Sequence, residues 1–103
     1  MSQSKESYLI KQARRIILES LNITYPHPLL VRNLFHTVIT VNPVYVDDML
    51  QKDLYYLKDK GYVLINDRVG FSDILPFEKR LVRLTAPGKE IAERTMTDPA
   101  LEI

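Results

Sequence analysis

The residues that could catalyse a reaction or hold a metal ion stand at spacings that favour neither role. His27 and His36 are nine residues apart, and no HExxH or carboxylate pattern surrounds them. Partly buried or helix-capping histidines are therefore a better interpretation than metal ligands. Neither Ser20 nor Ser72 lies in a G-x-S-x-G sequence, the strained turn that exposes a serine nucleophile.

Carboxylates, glycines and cysteines lead to the same conclusion. Asp47 and Asp48 are adjacent, but neighbours on a helix point about 100° apart, and two acids near a helix start are typical of an interaction with the helix dipole. The three glycines include no pair at the spacing of a phosphate-binding loop. Cysteine is absent, which excludes disulfides, cysteine-bound zinc and thiol nucleophiles. We expect a protein that is not an enzyme and that holds no cofactor or metal.

Length and charge set the scale of the molecule. The chain has 103 residues and a formal charge of +1, which predicts one domain and no strongly basic surface. We expect residues 1–95 to form that domain and residues 96–103 to be a frayed tail. Near the N-terminus, Lys11, Arg14 and Arg15 interrupt the apolar residues, so we expect no signal peptide, no membrane span and a cytoplasmic location.

Periodic apolar residues predict three helices in the first part of the chain. The spacing in residues 5–21 is that of an amphipathic helix. Pro26 and Pro28 end this helix, and Pro28 suits the first position of a second helix over residues 28–37. Asn42 can cap and Pro43 can open a third helix over residues 43–60, which Gly61 ends.

Two strands and a fourth helix follow. Residues 62–65 and 79–84 are β-rich runs. The segment 68–78 between them is long for a hairpin loop and apolar, so we expect it to fold back or to contact a partner. Thr85 is a suitable cap for a helix that continues to residue 94. The predicted fold class is α+β, mainly α.

Two blocks of sequence resemble the winged helix-turn-helix family. Residues 54–63, LYYLKDKGYV, are similar to the end of its recognition helix, and residues 82–92, VRLTAPGKEIA, to the exit from its wing. The resemblance implies three helices, a two-stranded wing hairpin and a C-terminal helix. The short length and the run RIIL at residues 15–18 are similar to the small winged-helix proteins of Mu-like phages and prophages. An unrelated small α+β domain is the alternative.

The resemblance implies that the helix 43–60 enters the major groove of DNA and that the wing 66–80 lies on the phosphate backbone. Gln51 could pair with adenine, and Lys52 could reach guanine or phosphate. The complete set of predicted DNA contacts is Arg32, Tyr45, Gln51, Lys52, Tyr55, Tyr56, Lys58, Arg68, Lys79 and Arg80.

Charge leaves two functions open. Four aspartates against three lysines give the third helix a charge of −1, which phosphates repel. Positive charge is concentrated in residues 1–40 and 68–89, each at +3. The first hypothesis is a phage or bacterial transcription regulator that binds double-stranded DNA as a homodimer, through its first and fourth helices. The second is a protein–protein interaction module, in which the acidic third helix and the apolar segment 71–77 contact another protein.

Overall fold

The structure, a computed structural model, describes residues 5–66, 68–69, 73–94, 96 and 98–101. The helices in this part of the chain are α1 (Lys5–Thr24), α2 (Val31–Val41), α3 (Asp47–Asp59) and α4 (Ala86–Ala92). The strands are β1 (Leu29–Leu30), β2 (Val63–Asn66), β3 (Arg68–Val69), β4 (Asp73–Ile74) and β5 (Leu81–Leu84). Short 3₁₀ turns occur at Phe77–Lys79 and Pro99–Leu101. The predicted fold class, α+β and mainly α, is therefore confirmed.

The start of α2 differs from the prediction. The helix begins at Val31, because Leu29 and Leu30 form β1 and pair with β5 in the register Leu29↔Val82. The backbone N–H of Val31 donates to the carbonyl of Arg80 at 3.0 Å. Pairing with a distant strand thus overrides the local preference of Pro28 for a first helical position.

The start of α3 differs as well. Asn42 ends α2, with its N–H donating to the carbonyl of Val38 at 2.8 Å, and does not cap the next helix. A turn follows, in which the N–H of Tyr45 donates to the carbonyl of Asn42 at 3.1 Å. The helix α3 then begins at Asp47 and ends before Gly61, whose φ of 81° is the left-handed conformation that the sequence predicted.

A three-stranded antiparallel sheet has the order β1-β5-β2. The registers Val63↔Leu84 and Ile65↔Val82 bring buried valine and leucine side chains together on its inner face. Between β2 and β5 the chain folds back as a second hairpin of β3 with β4, in the register Arg68↔Ile74.

The core surrounds α1, which packs against α2, α3, α4, β5 and the turn Pro99–Leu101. Among its largest fully buried side chains are Ile17, Leu18, Leu21, Leu34, Leu50, Leu54, Leu57, Leu84 and Ile91. The guanidinium of Arg15 is also buried and donates to the carbonyls of Ile91 and Ala92, at 2.8 and 3.2 Å. A cation thus binds the C-terminal end of α4, where the helix dipole is negative.

Residues 98–101, which lie in the segment predicted to be a frayed tail, are packed onto the domain. Leu101 is only 1% exposed. The hydroxyl of Tyr62 donates to the buried carboxylate of Asp98 at 2.8 Å, and Lys60 lies 3.5 Å from the same carboxylate. Burial of Leu101 and the polar contacts of Asp98 together offset the conformational entropy that is lost when a chain end is ordered.

Within the described residues, no helix has the length and apolar character needed to span a bilayer.

Candidate nucleic-acid interface

The helix α3 buries one side and leaves a polar side uncovered. Leu50, Leu54 and Leu57 point into the core. On the opposite side, at helical spacings of three and four residues, lie the exposed side chains of Asp48, Gln51, Lys52, Tyr55 and Lys58. We call these five residues the α3 stripe. Gln51, Lys52, Tyr55 and Lys58 were predicted DNA contacts, and the fold brings them onto one surface.

Tyr45, also a predicted DNA contact, does not belong to that surface. The side chain is 4% exposed, and its hydroxyl donates to Oδ2 of Asp53 at 2.5 Å. The reason is that α3 begins at Asp47: Tyr45 lies in the preceding turn, where it points inward and packs 6.2 Å from the ring of Phe35.

Asp53 also lies on the buried side, where Nε of Arg14 donates to its Oδ1 at 3.1 Å. Burial raises the pKa of Asp53, whereas the bonds from Tyr45 and Arg14 act in the opposite direction. Burial, followed by the negative charge of Asp53, likewise raises the pKa of Tyr45.

This pairing changes the electrostatics of α3. With Asp53 turned toward Arg14, the exposed charges on and just after the helix are three carboxylates and three ammonium groups: Asp47, Asp48, Asp59, Lys52, Lys58 and Lys60. The −1 counted from the sequence is therefore not presented to solvent. Sequence spacing contained the signal, since position 53 falls in line with the buried positions 50, 54 and 57.

The two tyrosines of α3 have different surroundings. Tyr56 is half-buried, and the Arg14 guanidinium lies 3.8 Å from its ring centroid, so Tyr56 takes part in the packing of α1 on α3. Tyr55 is 36% exposed and remains in the α3 stripe. Its ring lies 6.3 Å from that of Phe77, and its hydroxyl accepts from Arg80 at 3.2 Å.

Arg80 connects α3 to the segment that follows β4. Besides Tyr55, its guanidinium donates to the carbonyl of Leu75 at 3.1 Å and lies 5.6 Å from the Phe77 ring centroid. Because Arg80 is half-buried in these contacts, it holds the 3₁₀ turn Phe77–Lys79 against the helix. A structural role thus accompanies any contact that Arg80 makes with a ligand.

The other predicted basic contacts lie on elements other than α3. Arg32 is exposed on the first turn of α2, and Lys79 is exposed on the 3₁₀ turn. Arg68 lies in β3, and its side chain is outside the described part of the structure.

A groove of about 480 Å³ runs between α2, α3 and the 3₁₀ turn. Phe35 and Phe77 contribute apolar walls, and Arg32 and Gln51 both line it. It therefore brings a predicted phosphate contact and a predicted base contact to one depression. Three further polar residues that sequence reasoning did not select also line it: His36, Asp47 and Glu78.

Comparison with known proteins adds no relative. The chain matches no protein-family model, and no curated protein or solved structure is significantly similar to it. Its own surface is therefore the basis for inferring what it does.

Proposed function

We propose that the chain is a winged helix-turn-helix protein that binds double-stranded DNA. The order of elements supports this fold: two helices joined by a short turn precede a hairpin inserted between two paired strands, and a helix follows. This is the order that the sequence resemblance implies. In such a protein α2 and α3 form the helix-turn-helix, and the segment from β2 to β5 is the wing.

The observation that carries the proposal is the uncovered α3 stripe. It offers an amide at Gln51 and ammonium groups at Lys52 and Lys58, which suit the adenine edge, the guanine edge and phosphate. The burial of Asp53 against Arg14 removes one carboxylate that would repel DNA. Arg32 and Lys79, exposed on neighbouring elements, supply cations for the backbone on either side.

The biological role follows the same proposal. A small DNA-binding domain fits a phage or bacterial transcription regulator acting in the cytoplasm, like the small winged-helix proteins of Mu-like phages that the sequence resembles.

A second candidate function is protein–protein interaction without DNA. The observation that favours it is Asp48, whose carboxylate lies exposed within the α3 stripe and makes no ion pair among the described residues. A carboxylate facing DNA is unfavourable unless it accepts a hydrogen bond from cytosine, whereas a basic protein surface would pair with it directly.

Fluorescence anisotropy with a random-sequence duplex, at low and then at higher salt, tests the proposal. We expect binding whose affinity falls steeply with salt because phosphate contacts release counterions. Lys58→Ala should reduce the slope of log affinity against log salt by about one, whatever the DNA sequence. Gln51→Ala should leave the slope unchanged and relax discrimination on a selected sequence by about 1–3 kcal/mol.

The matched control is Lys89→Ala, which removes one positive charge from α4, where Lys89 pairs with Glu93. This variant should bind the duplex as the unmodified chain does. Absence of binding at low salt would contradict DNA recognition and leave the protein-interaction function as the better explanation. An equal loss of affinity in all three variants would show that α3 has no special part in binding.

A further inference from the structure

The end of α2, the turn after it and the start of α3 expose four apolar side chains within nine residues. Val41, Val44, Val46 and Met49 are 53%, 67%, 51% and 40% exposed. Tyr45 is buried between two of them, whereas Val44, in the turn, and Val46, in extended backbone, are both exposed to solvent. We call these four residues the turn patch. A cluster of this kind is typical of a surface that another protein covers.

A groove of about 200 Å³ adjoins the turn patch, between α1 and α3. Ile10 and Met49 give it an apolar lining, and Lys52 stands at it together with the Arg14–Asp53 pair. Met49 belongs to both features, so the protruding turn and the groove form one continuous surface.

Charges on this surface are opposite and uncompensated. Asp47 and Asp48 lie between Val46 and Met49 and are exposed, and Lys52 is exposed one helical turn further along. None of the three makes an ion pair among the described residues. The turn is thus apolar with an acidic edge, and the groove beside it is apolar with a basic edge.

We propose that a second copy of this chain docks on the turn patch, with the turn of each copy against the groove of the other. A two-fold axis makes such a contact reciprocal, so that Asp48 of each copy faces Lys52 of the other. Burial of the valines and Met49 supplies the favourable free energy, and the opposite charges fix the register.

This interface differs from the one that the sequence suggested. The first and fourth helices use their facing sides to pack on each other within one chain, where Arg15 of α1 binds the carbonyls of Ile91 and Ala92. On α3, Met49 and Gln51 point about 160° apart. The proposed dimer therefore covers Asp48 and Lys52 of the α3 stripe, and it leaves Gln51 and Lys58 uncovered.

Sedimentation equilibrium of the full chain without DNA tests the proposal, and its outcome does not depend on whether the chain binds DNA. We expect a reversible monomer–dimer equilibrium. Val44→Asp should raise the dissociation constant by about tenfold or more, because it places a carboxylate in an apolar contact. The matched control is Ile23→Asp, at an apolar position near the end of α1 that is 85% exposed and distant in sequence from the turn patch. Its dissociation constant should match that of the unmodified chain.

A charge exchange tests the register. Asp48→Lys and Lys52→Asp should each weaken the dimer, and the double variant should restore it, while circular dichroism confirms that every variant is folded. A chain that stays monomeric near millimolar concentration would overturn the proposal, leaving the turn patch for a different protein. A dimer that Val44→Asp leaves intact, or a double variant no tighter than either single one, would overturn it as well.

Discussion

Asp53 illustrates, at the scale of single residues, what a sequence does and does not determine. Its position in the helical repeat of Leu50, Leu54 and Leu57 indicates the buried side. Its partners do not follow from the sequence, since Arg14 is 39 residues away and Tyr45 is brought near by an irregular turn. A buried carboxylate needs such partners, because desolvation of an unpaired charge costs several kcal/mol.

We predict that Tyr45→Phe destabilises the protein by about 1–3 kcal/mol, the cost of leaving a buried acceptor without its donor. The pKa of Asp53, which is already raised, should rise further, because the Tyr45 hydroxyl favours the ionised carboxylate. Urea unfolding and carboxyl titration by NMR measure the two effects. The control is Tyr25→Phe, since within the described residues the Tyr25 hydroxyl makes no hydrogen bond.

The loss of stability in Tyr45→Phe should depend on pH, and its direction follows from the pKa of Asp53. A folded-state pKa above the unfolded value means that Asp53 contributes stability below about pH 4, which is lost as pH rises through the folded pKa. In Tyr45→Phe the folded pKa is higher still, so the loss relative to the unmodified chain should grow as pH rises between the two folded values. A loss that is equal at acid and neutral pH would mean that the hydroxyl does not stabilise the charged form.

At the scale of elements, sequence signals located the ends that local chemistry controls. Gly61 ends α3 in a left-handed conformation, and Thr85 caps α4 by accepting from the N–H of Gly88 at 3.0 Å. The start of α2 was misplaced because β1 forms only by pairing with β5, far along the chain. No local pattern in a two-residue strand could predict that partner. The start of α3 was misplaced because Asn42 ends α2 and a turn follows it. Four of the five residues of the α3 stripe were predicted contacts, whereas Tyr45 lies in the turn before α3 and is buried.

Two glycines should respond very differently to alanine. A Cβ at Gly88 would lie 2.0 Å from the backbone carbonyl oxygen of Tyr62, so α4 would have to move away from the sheet. A Cβ at Gly61 meets no atom within 4 Å, and only its φ of +81° opposes it. Gly61→Ala should therefore cost about 1–2 kcal/mol, and Gly88→Ala clearly more. Thermal and urea unfolding of both variants provide the comparison, and an equal cost would contradict the close approach.

At the scale of the whole molecule, residues 98–101 pack back against the rest of the domain. Leu101 is buried, and the carboxylate of Asp98 binds Tyr62 and Lys60 at the junction of α3 and β2. Within the segment predicted to be a frayed tail, one buried apolar side chain and one carboxylate hold residues 98–101 in place. Both depend on surfaces formed only after folding.

We predict that Asp98→Asn weakens the contacts that hold residues 98–101 against the domain, and that the pKa of Tyr62 reports the change. Burial, the hydrogen bond to Asp98 and its negative charge together raise the pKa of Tyr62 to about 12. The amide removes the charge, so the pKa should fall toward its ordinary value of about 10 without reaching it, because burial persists. Ultraviolet titration of tyrosine ionisation measures the shift. An unchanged pKa in this variant would mean that Asp98 does not contact Tyr62 in solution.

The strand order has a consequence for how the molecule forms. The central strand of the sheet is β5, the last strand in the chain, and both β1 and β2 pair only with it within that sheet. No part of the three-stranded sheet can exist before β5 arrives, and until then the first N–H of α2 lacks its acceptor at Arg80. The contacts within a helix are local and form quickly, whereas pairing of β1 with β5 requires closure of a long loop. The three-stranded sheet therefore forms only once β5 is available, and a nascent chain ending before residue 81 cannot form it.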